Sequence, residues 1–201
     1  MKNSENPWIE TYTGKKFYIL NPRQEDIDIE DIAHALSMLC RFVGHCKQFY
    51  SVAEHSVRLS LLQVVYQHIR HSRVVLTQTR LIALLHDAAE AYLGDVSSPL
   101  KLVLPKYQSY ESRLQSLIFK NFLGYSPLEE IRYIKMAERM LLATELRDVV
   151  DAKTDWHEYE AKLGINQLLK PLPEKICPLS QIDAKNSFLE RFNHLRKRKG
   201  A

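Results

Sequence analysis

Residues 80–101, RLIALLHDAAEAYLGDVSSPLK, place titratable side chains directly after an aliphatic run. His86 and Asp87 are adjacent, and Glu90 and Asp95 follow them. Such groups are costly to bury unless a metal, an ion pair or water satisfies them. On a helix, His86 and Glu90 would share a face, whereas Asp87 would be rotated by about 100°. The segment is therefore a candidate site for metal or acid–base chemistry.

Two further side chains supply what a metal site on this segment would need. His55 lies in SVAEHSVRLS, and Glu138 lies in IKMAERMLLATE. Together with His86 and Asp87 they would give a mixed nitrogen and oxygen coordination sphere, which suits a divalent transition metal with room for water. Water on such a metal becomes a nucleophile near neutral pH, which is the chemistry of phosphate-ester hydrolysis. The alternative is a structural polar network.

The elements that must hold these residues are helices. Apolar periodicity predicts them in DIEDIAHALSMLCRF, from about residue 52 to 69, in TRLIALLHDAAEAYL, in PKYQSYESRLQSLIFKNFL, in PLEEIRYIKMAERMLLATELRDVV and in LSQIDAKNSFLERFNHLRKR. Ser51 and Glu54 form a capping box before the second helix, and Gly94 and Gly124 end the third and fourth. These helices predict an all-α fold, a compact bundle of about six helices. The segment KKFYILNP adds a short N-terminal strand-like segment.

Length and composition narrow the class of protein. A chain of 201 residues with 45% hydrophobic residues predicts a single domain over 1–201, with a core at about 24–150 and a C-terminal helix at 179–197. Much of the formal charge of +4 lies in residues 191–200, so we expect no nucleic-acid polymer as a partner. The three cysteines form no close pair, and no apolar signal core or spanning stretch is present, which predicts a cytoplasmic protein without a membrane partner.

The order of the motifs resembles the HD superfamily of metal-dependent phosphohydrolases. Arg41 is followed by VAEHS, then by LLHDAAEAYLGDVSSPLK and then by IKMAER, and the similarity covers roughly residues 30–150. Within the superfamily the chain is most similar to bacterial 5′-nucleotidases that act on deoxyribonucleoside 5′-monophosphates. The resemblance implies one divalent transition metal ion (Mn, Co, Fe, Ni or Zn), a nucleotide substrate and, since related proteins are often dimers, a homodimer.

The resemblance also implies roles for individual residues. The metal ligands would be His55, His86, Asp87 and Glu138. Glu90 would move a proton to the leaving 5′-oxygen or from the attacking water. Arg41, expected at the end of the first helix, would contact the phosphate through its planar guanidinium.

Four further residues are candidates because of their chemistry and position. Asp95 could orient water or bond a sugar hydroxyl, but an aspartate after Gly94 equally suits a turn. Phe42 could stack on a base or belong to the core, and Lys101 could contact the phosphate or be solvated. His45 could line the pocket and touch phosphate or base.

The resemblance leaves alternative functions open. A deoxynucleoside triphosphate triphosphohydrolase and a cyclic-nucleotide phosphodiesterase use the same metal core. A degenerate nucleotide-binding regulatory domain is the non-enzymatic alternative, because the family generally has aspartate where this chain has Glu138. Glu138 could instead be a surface acid paired with Lys135.

We expect Glu138→Asp to keep or improve metal affinity and Glu138→Ala to lose most of it, because the carboxylate would be a direct ligand. Metal content after purification, measured by plasma mass spectrometry, checks this. Equal metal content in the wild type and Glu138→Ala would remove Glu138 from the site.

Overall fold

The computed structural model describes residues 7–62, 73–127, 130–150, 153 and 170–197. The second half of the helix predicted at 52–69 lies outside the described residues, as does most of the polar segment at 151–178. The first residues after Pro127 and the last four residues of the basic tail also lie outside them.

The described chain is a bundle of helices, which confirms the all-α prediction. The helices are α1 (Ile29–Met38), α2 (Val52–Leu61), α3 (Arg73–Leu85), α4 (Glu90–Leu93), α5 (Ser98–Leu102), α6 (Pro105–Leu123), α7 (Glu130–Glu145) and α8 (Gln181–Lys197). Short 3₁₀ turns occur at Gln24–Asp26 and Arg41–Gly44, and a π-helical turn, Leu146–Val150, follows α7. No helix within the described ranges combines the length and apolarity that a membrane span requires.

A two-stranded hairpin precedes the bundle. The strand expected in KKFYILNP is present as β2 (Lys16–Tyr18), and it pairs antiparallel with β1 (Trp8–Glu10), which the sequence did not predict. Phe17 of β2 is fully buried and stacks on Tyr92 of α4, with ring centroids 3.9 Å apart. This contact ties the hairpin to the helix that follows the HD dipeptide.

Helix α3 is the central element of the core, as its dense apolar sequence predicts. Each residue from Leu81 to Leu85 is at most 1% exposed. Helix α3 packs against α2, α7 and α8, and α8, which buries Phe188, also contacts α1. Because α2, α3 and α7 meet along α3, residues from all three can face one point at its end.

The start of α2 is fixed by two polar contacts. Ser51 Oγ accepts a hydrogen bond from the Glu54 backbone nitrogen at 3.1 Å, as the predicted capping box requires. The Glu54 carboxylate does not complete the box; it accepts from Arg58 at 2.7 Å and from the Leu179 backbone nitrogen at 2.8 Å. These bonds hold the first turn of α2, which carries His55, against the segment leading into α8.

The single helix predicted across TRLIALLHDAAEAYL is wrong, because the chain is interrupted between α3 and α4. Residues 86–89 form a turn, with the Ala88 nitrogen bonded to the Leu85 oxygen at 3.1 Å and the Glu90 nitrogen bonded to the Asp87 oxygen at 3.0 Å. These bonds span three residues instead of the four of an α-helix. His86 and Glu90 therefore do not lie on one continuous α-helix.

An ion pair at the end of α7 holds the chain that returns toward α8. Asp148 accepts from Arg147 at 2.7 Å and from the Ile176 backbone nitrogen at 2.9 Å, while Arg147 donates to the Leu172 oxygen at 2.8 Å. The hydrogen bond from Arg147 is the main reason that the pKa of Asp148 is lowered to about 2.

We expect Asp148→Asn to lower the free energy of unfolding by about 1 kcal/mol at pH 7, after allowance for solvent screening. The folded pKa lies below the unfolded value of about 3.9, so the stabilisation is complete above pH ~5 and disappears as the pH falls toward 2. Urea unfolding of both proteins between pH 7 and pH 3 checks this. A difference that stayed constant over that range would show that the Asp148 charge is not responsible.

Candidate metal centre

A pocket of about 850 Å³ opens beside the end of α3. All of the residues predicted for the site line this pocket except His86, which contacts the lining residues Asp87 and Glu138 and has 8% of its side chain exposed. Helices α2 and α7, the loop before α5 and the Arg41–Gly44 turn form its walls. The fold therefore brings together residues that are far apart in the sequence.

The four predicted ligands form one cluster. His55, His86, Asp87 and Glu138 each offer a ligand atom, and these atoms all lie within 4.8 Å of one another. His86 Nε2 is 3.0 Å from Asp87 Oδ2 and 3.2 Å from Glu138 Oε1, and His55 Nε2 is 4.0 Å from the same Asp87 oxygen. We call these four residues the quartet.

The hydrogen bonds of the two histidines show that the quartet fits a metal. His86 Nδ1 lies 2.8 Å from the Ala83 carbonyl oxygen, and His55 Nδ1 lies 2.6 Å from Glu145 Oε1. Since these oxygens can only accept, each Nδ1 donates, and each Nε2 is the ring atom that remains to bind a metal. Within the described part of the chain, both buried Nε2 atoms lack a hydrogen bond. Two imidazole nitrogens beside two carboxylates are a donor set for a cation, which would replace any proton on Nε2.

The charges of the quartet also favour a bound cation. Burial by itself raises the pKa of Asp87, but His86, His55 and Arg41 outweigh it and hold the pKa well below its usual range. Burial lowers the pKa of His86, but Asp87 and Glu138 raise it well above its usual value. The quartet thus attracts positive charge, which a divalent metal would supply.

Glu145 is a residue of the site that sequence reasoning missed. It is fully buried at the end of α7, and its two oxygens accept from His55 Nδ1 at 2.6 Å and from Arg41 Nη2 at 3.2 Å. Burial raises its pKa, but Arg41 and His55 outweigh it and lower the pKa to about 2. Its spacing of seven residues from Glu138, two helical turns, was the signal that could have found it.

Lys101 forms ion pairs with two carboxylates, those of Glu90 and Glu111. Its Nζ lies 2.9 Å from Glu90 Oε1 and 2.6 Å from Glu111 Oε1, and Glu111 was not among the predicted residues. Burial and the charges of Asp87 and Asp95 raise the pKa of Glu90 to about 8, against the opposing effect of Lys101. The phosphate contact expected of Lys101 stays a prediction, and it would have to compete with two carboxylates.

Arg41 is not at the end of the first helix, as the sequence suggested, because α1 ends at Met38. It begins a 3₁₀ turn in which Phe42 and Val43 have φ of 55° and 54°. This left-handed backbone is unfavourable for a β-branched valine, with a cost on the order of 1–3 kcal/mol per residue. The turn points the Arg41 guanidinium inward, where Nη1 lies 3.8 Å from Asp87 Oδ2.

Three further predicted residues line the pocket away from the quartet. Phe42 is half-buried, with the Arg41 guanidinium carbon 5.4 Å from its ring centroid. His45 is exposed at the rim. Asp95 is half-buried, and burial raises its pKa although Arg41 opposes the shift. Their functions in substrate binding and catalysis stay predictions.

The all-α bundle, with two histidines and two carboxylates clustered at the end of its central helix, indicates a helical protein with a metal site. Residues 44–165 match the HD domain family. The chain is 38% identical over 191 residues to the uncharacterized protein YfdR of Escherichia coli K12, covering 94% of this chain and 95% of YfdR. It is 36% identical over 118 residues to an uncharacterized protein of Rhodobacter capsulatus, covering 57% and 58% of the two chains.

The chain therefore belongs to the HD domain family. Proteins of this family bind divalent metals and are generally metal-dependent hydrolases. The quartet is compatible with that chemistry.

We expect Glu145→Gln to weaken metal affinity by about 10–100-fold, because a neutral amide no longer raises the basicity of His55. Calorimetric titration of metal-free protein with Co²⁺ measures this. Glu190→Gln, at an exposed acid of α8, removes the same charge away from the pocket and serves as the control. Equal affinities for the two variants would contradict the role of Glu145.

Proposed function

We propose that this HD domain protein is a metal-dependent phosphohydrolase that cleaves the phosphate ester of a nucleotide, with a (deoxy)nucleoside 5′-monophosphate as substrate. The observation that carries the proposal is the pair of unbonded Nε2 atoms in the quartet, beside a pocket that also contains Arg41 and Glu90. A volume of about 850 Å³ lies within the range of ligand sites of about 300–1,000 Å³, so sugar and base have room beside the phosphate.

A metal held by the quartet would supply Lewis acidity, which polarises the phosphoryl group and makes water a better nucleophile near neutral pH. Arg41 would bind a phosphoryl oxygen, since its guanidinium is held in place by Glu145 and only 16% of its side chain is exposed. A fixed guanidinium stabilises the negative charge on the phosphoryl oxygens without having to reorganise.

Glu90 would supply the proton for the leaving 5′-oxygen. Its Oε1 accepts from Lys101, while its buried Oε2 makes no hydrogen bond within the described residues. Burial and the charges of Asp87 and Asp95 raise its pKa to about 8, which favours the protonated carboxyl that a general acid requires. The half-buried ring of Phe42 at the pocket wall would contact the base.

A panel of nucleotides incubated with the metal-loaded protein tests the proposal. We expect orthophosphate release from deoxynucleoside 5′-monophosphates. Release of tripolyphosphate from deoxynucleoside triphosphates would favour a triphosphohydrolase, and opening of a cyclic nucleotide would favour a phosphodiesterase. Nucleotide binding without release of any product would favour a regulatory domain.

We expect Glu90→Gln to lower kcat by about 10²–10⁴-fold with unchanged metal content, because the amide cannot donate an acidic proton. Initial rates and metal analysis on the same preparations measure this. Glu25→Gln, at an exposed acid in the first 3₁₀ turn, serves as the control. A Glu90→Gln enzyme with the wild-type kcat would contradict the role of Glu90 as the acid.

A further inference from the structure

The turn that carries His86 and Asp87 contains a hydrogen-bonding pattern that the proposed reaction does not explain. In a continuous α-helix the Ala89 nitrogen would donate to the Leu85 oxygen. Here the Ala89 nitrogen donates to Gln115 Oε1 at 3.0 Å, and Gln115 Nε2 donates to the Leu85 oxygen at 2.7 Å. The amide of one glutamine from α6 thus occupies the place of one helical hydrogen bond.

An inserted side chain of this kind is a recognised cause of helix interruption. The interruption lies at the HD dipeptide, because Leu85 is the last residue of α3 and Glu90 is the first residue of α4. Gln115 accepts from the Ala89 nitrogen, and the Leu85 oxygen accepts both from Gln115 and from the Ala88 nitrogen, so the open turn leaves neither group without a partner. The geometry is therefore held by a residue that follows the dipeptide by 28 positions.

The interruption has a direct consequence for the metal site. On a continuous helix, the side chains of His86 and Asp87 would diverge by about 100°. In the turn, His86 Nε2 and Asp87 Oδ2 are 3.0 Å apart and belong to one cluster. The interruption therefore lies at the same two residues that contribute ligand atoms to the cluster.

We propose that Gln115 is a positioning residue of the metal centre: its amide splits the hydrogen bond between Leu85 and Ala89, and so holds His86 and Asp87 in the orientation that binds the metal. Gln115 contacts neither metal nor substrate in this assignment and acts through the turn alone. The assignment builds on the metal centre required by the proposed function, but it does not depend on which phosphate ester is hydrolysed.

Gln115→Met tests the assignment, because methionine has nearly the same length but no hydrogen-bonding amide. The Leu85 and Ala89 groups would then bond to each other, so the apo protein should be as stable as the wild type. We expect Co²⁺ affinity to fall by about 10–100-fold and the visible spectrum of bound Co²⁺ to change. Gln24→Met removes another side-chain hydrogen bond to α6, to Asn121, and serves as the matched control.

A second variant separates positioning from packing. Gln115→Glu keeps an acceptor for the Ala89 nitrogen and so keeps the helical bond open, although it loses the donor to Leu85. We expect its Co²⁺ affinity to lie between those of the wild type and Gln115→Met. An affinity and a spectrum of Gln115→Met equal to those of the wild type would overturn the proposal. Higher affinity in Gln115→Met than in Gln115→Glu would also overturn it, because packing alone would then explain the site.

These readouts are independent of turnover. A protein that binds Co²⁺ through the turn but releases phosphate from no nucleotide would refute the proposed function and leave the role of Gln115 intact. If the protein hydrolyses a nucleotide but its Gln115→Met variant binds metal normally, the role of Gln115 is refuted and the proposed function stands.

Discussion

Two imidazole nitrogens and two carboxylates lie within 4.8 Å of one another at the end of α3. The two carboxylates need a compensating positive charge, which is why they raise the pKa of His86, and a bound cation would supply that charge in place of the proton. The surrounding bonds keep the cluster from relaxing. The Ala83 carbonyl fixes the ring of His86, and Glu145 fixes the ring of His55. The folded chain thus holds a metal-binding geometry in advance.

Two departures from regular backbone geometry accompany this arrangement. One is the open turn at residues 86–89, and the other is the left-handed turn through Phe42 and Val43. Backbone irregularities tend to occur where function needs a side chain in a position that regular structure does not offer. Here one turn aims two consecutive residues at the quartet, and the other brings Arg41 within 3.2 Å of Glu145. Because Glu145 contacts both His55 and Arg41, the metal centre and the expected phosphate site share one buried carboxylate.

Much of this could be predicted from the sequence, since periodicity and caps are local signals. The helical class, the ends at Gly94 and Gly124 and the cap at Ser51 follow from such signals and are confirmed. Four ligands on three elements could be proposed from residue types and from the resemblance, and the structure brings them together. The features that the sequence did not predict depend on tertiary contacts.

Three features could not be predicted, because contacts between distant segments or departures from local preference produce them. No local pattern reveals that Gln115 inserts into the bond between Leu85 and Ala89, so the helix was predicted to continue. Glu111 sits on α6 and reaches Lys101 only after α5 and α6 have packed. The turn at Phe42 contradicts the preferences of its own residues, so propensity alone cannot find it.

The most direct test of the account is the position of a bound metal. A crystal of the Co²⁺-loaded protein, measured at the cobalt absorption edge, locates the ion by anomalous scattering. We expect one peak at about 2.0–2.2 Å from Nε2 of His55 and of His86, with Asp87 and Glu138 oxygens completing the coordination. A peak bound elsewhere, or a quartet closed by direct hydrogen bonds with no ion present, would contradict it.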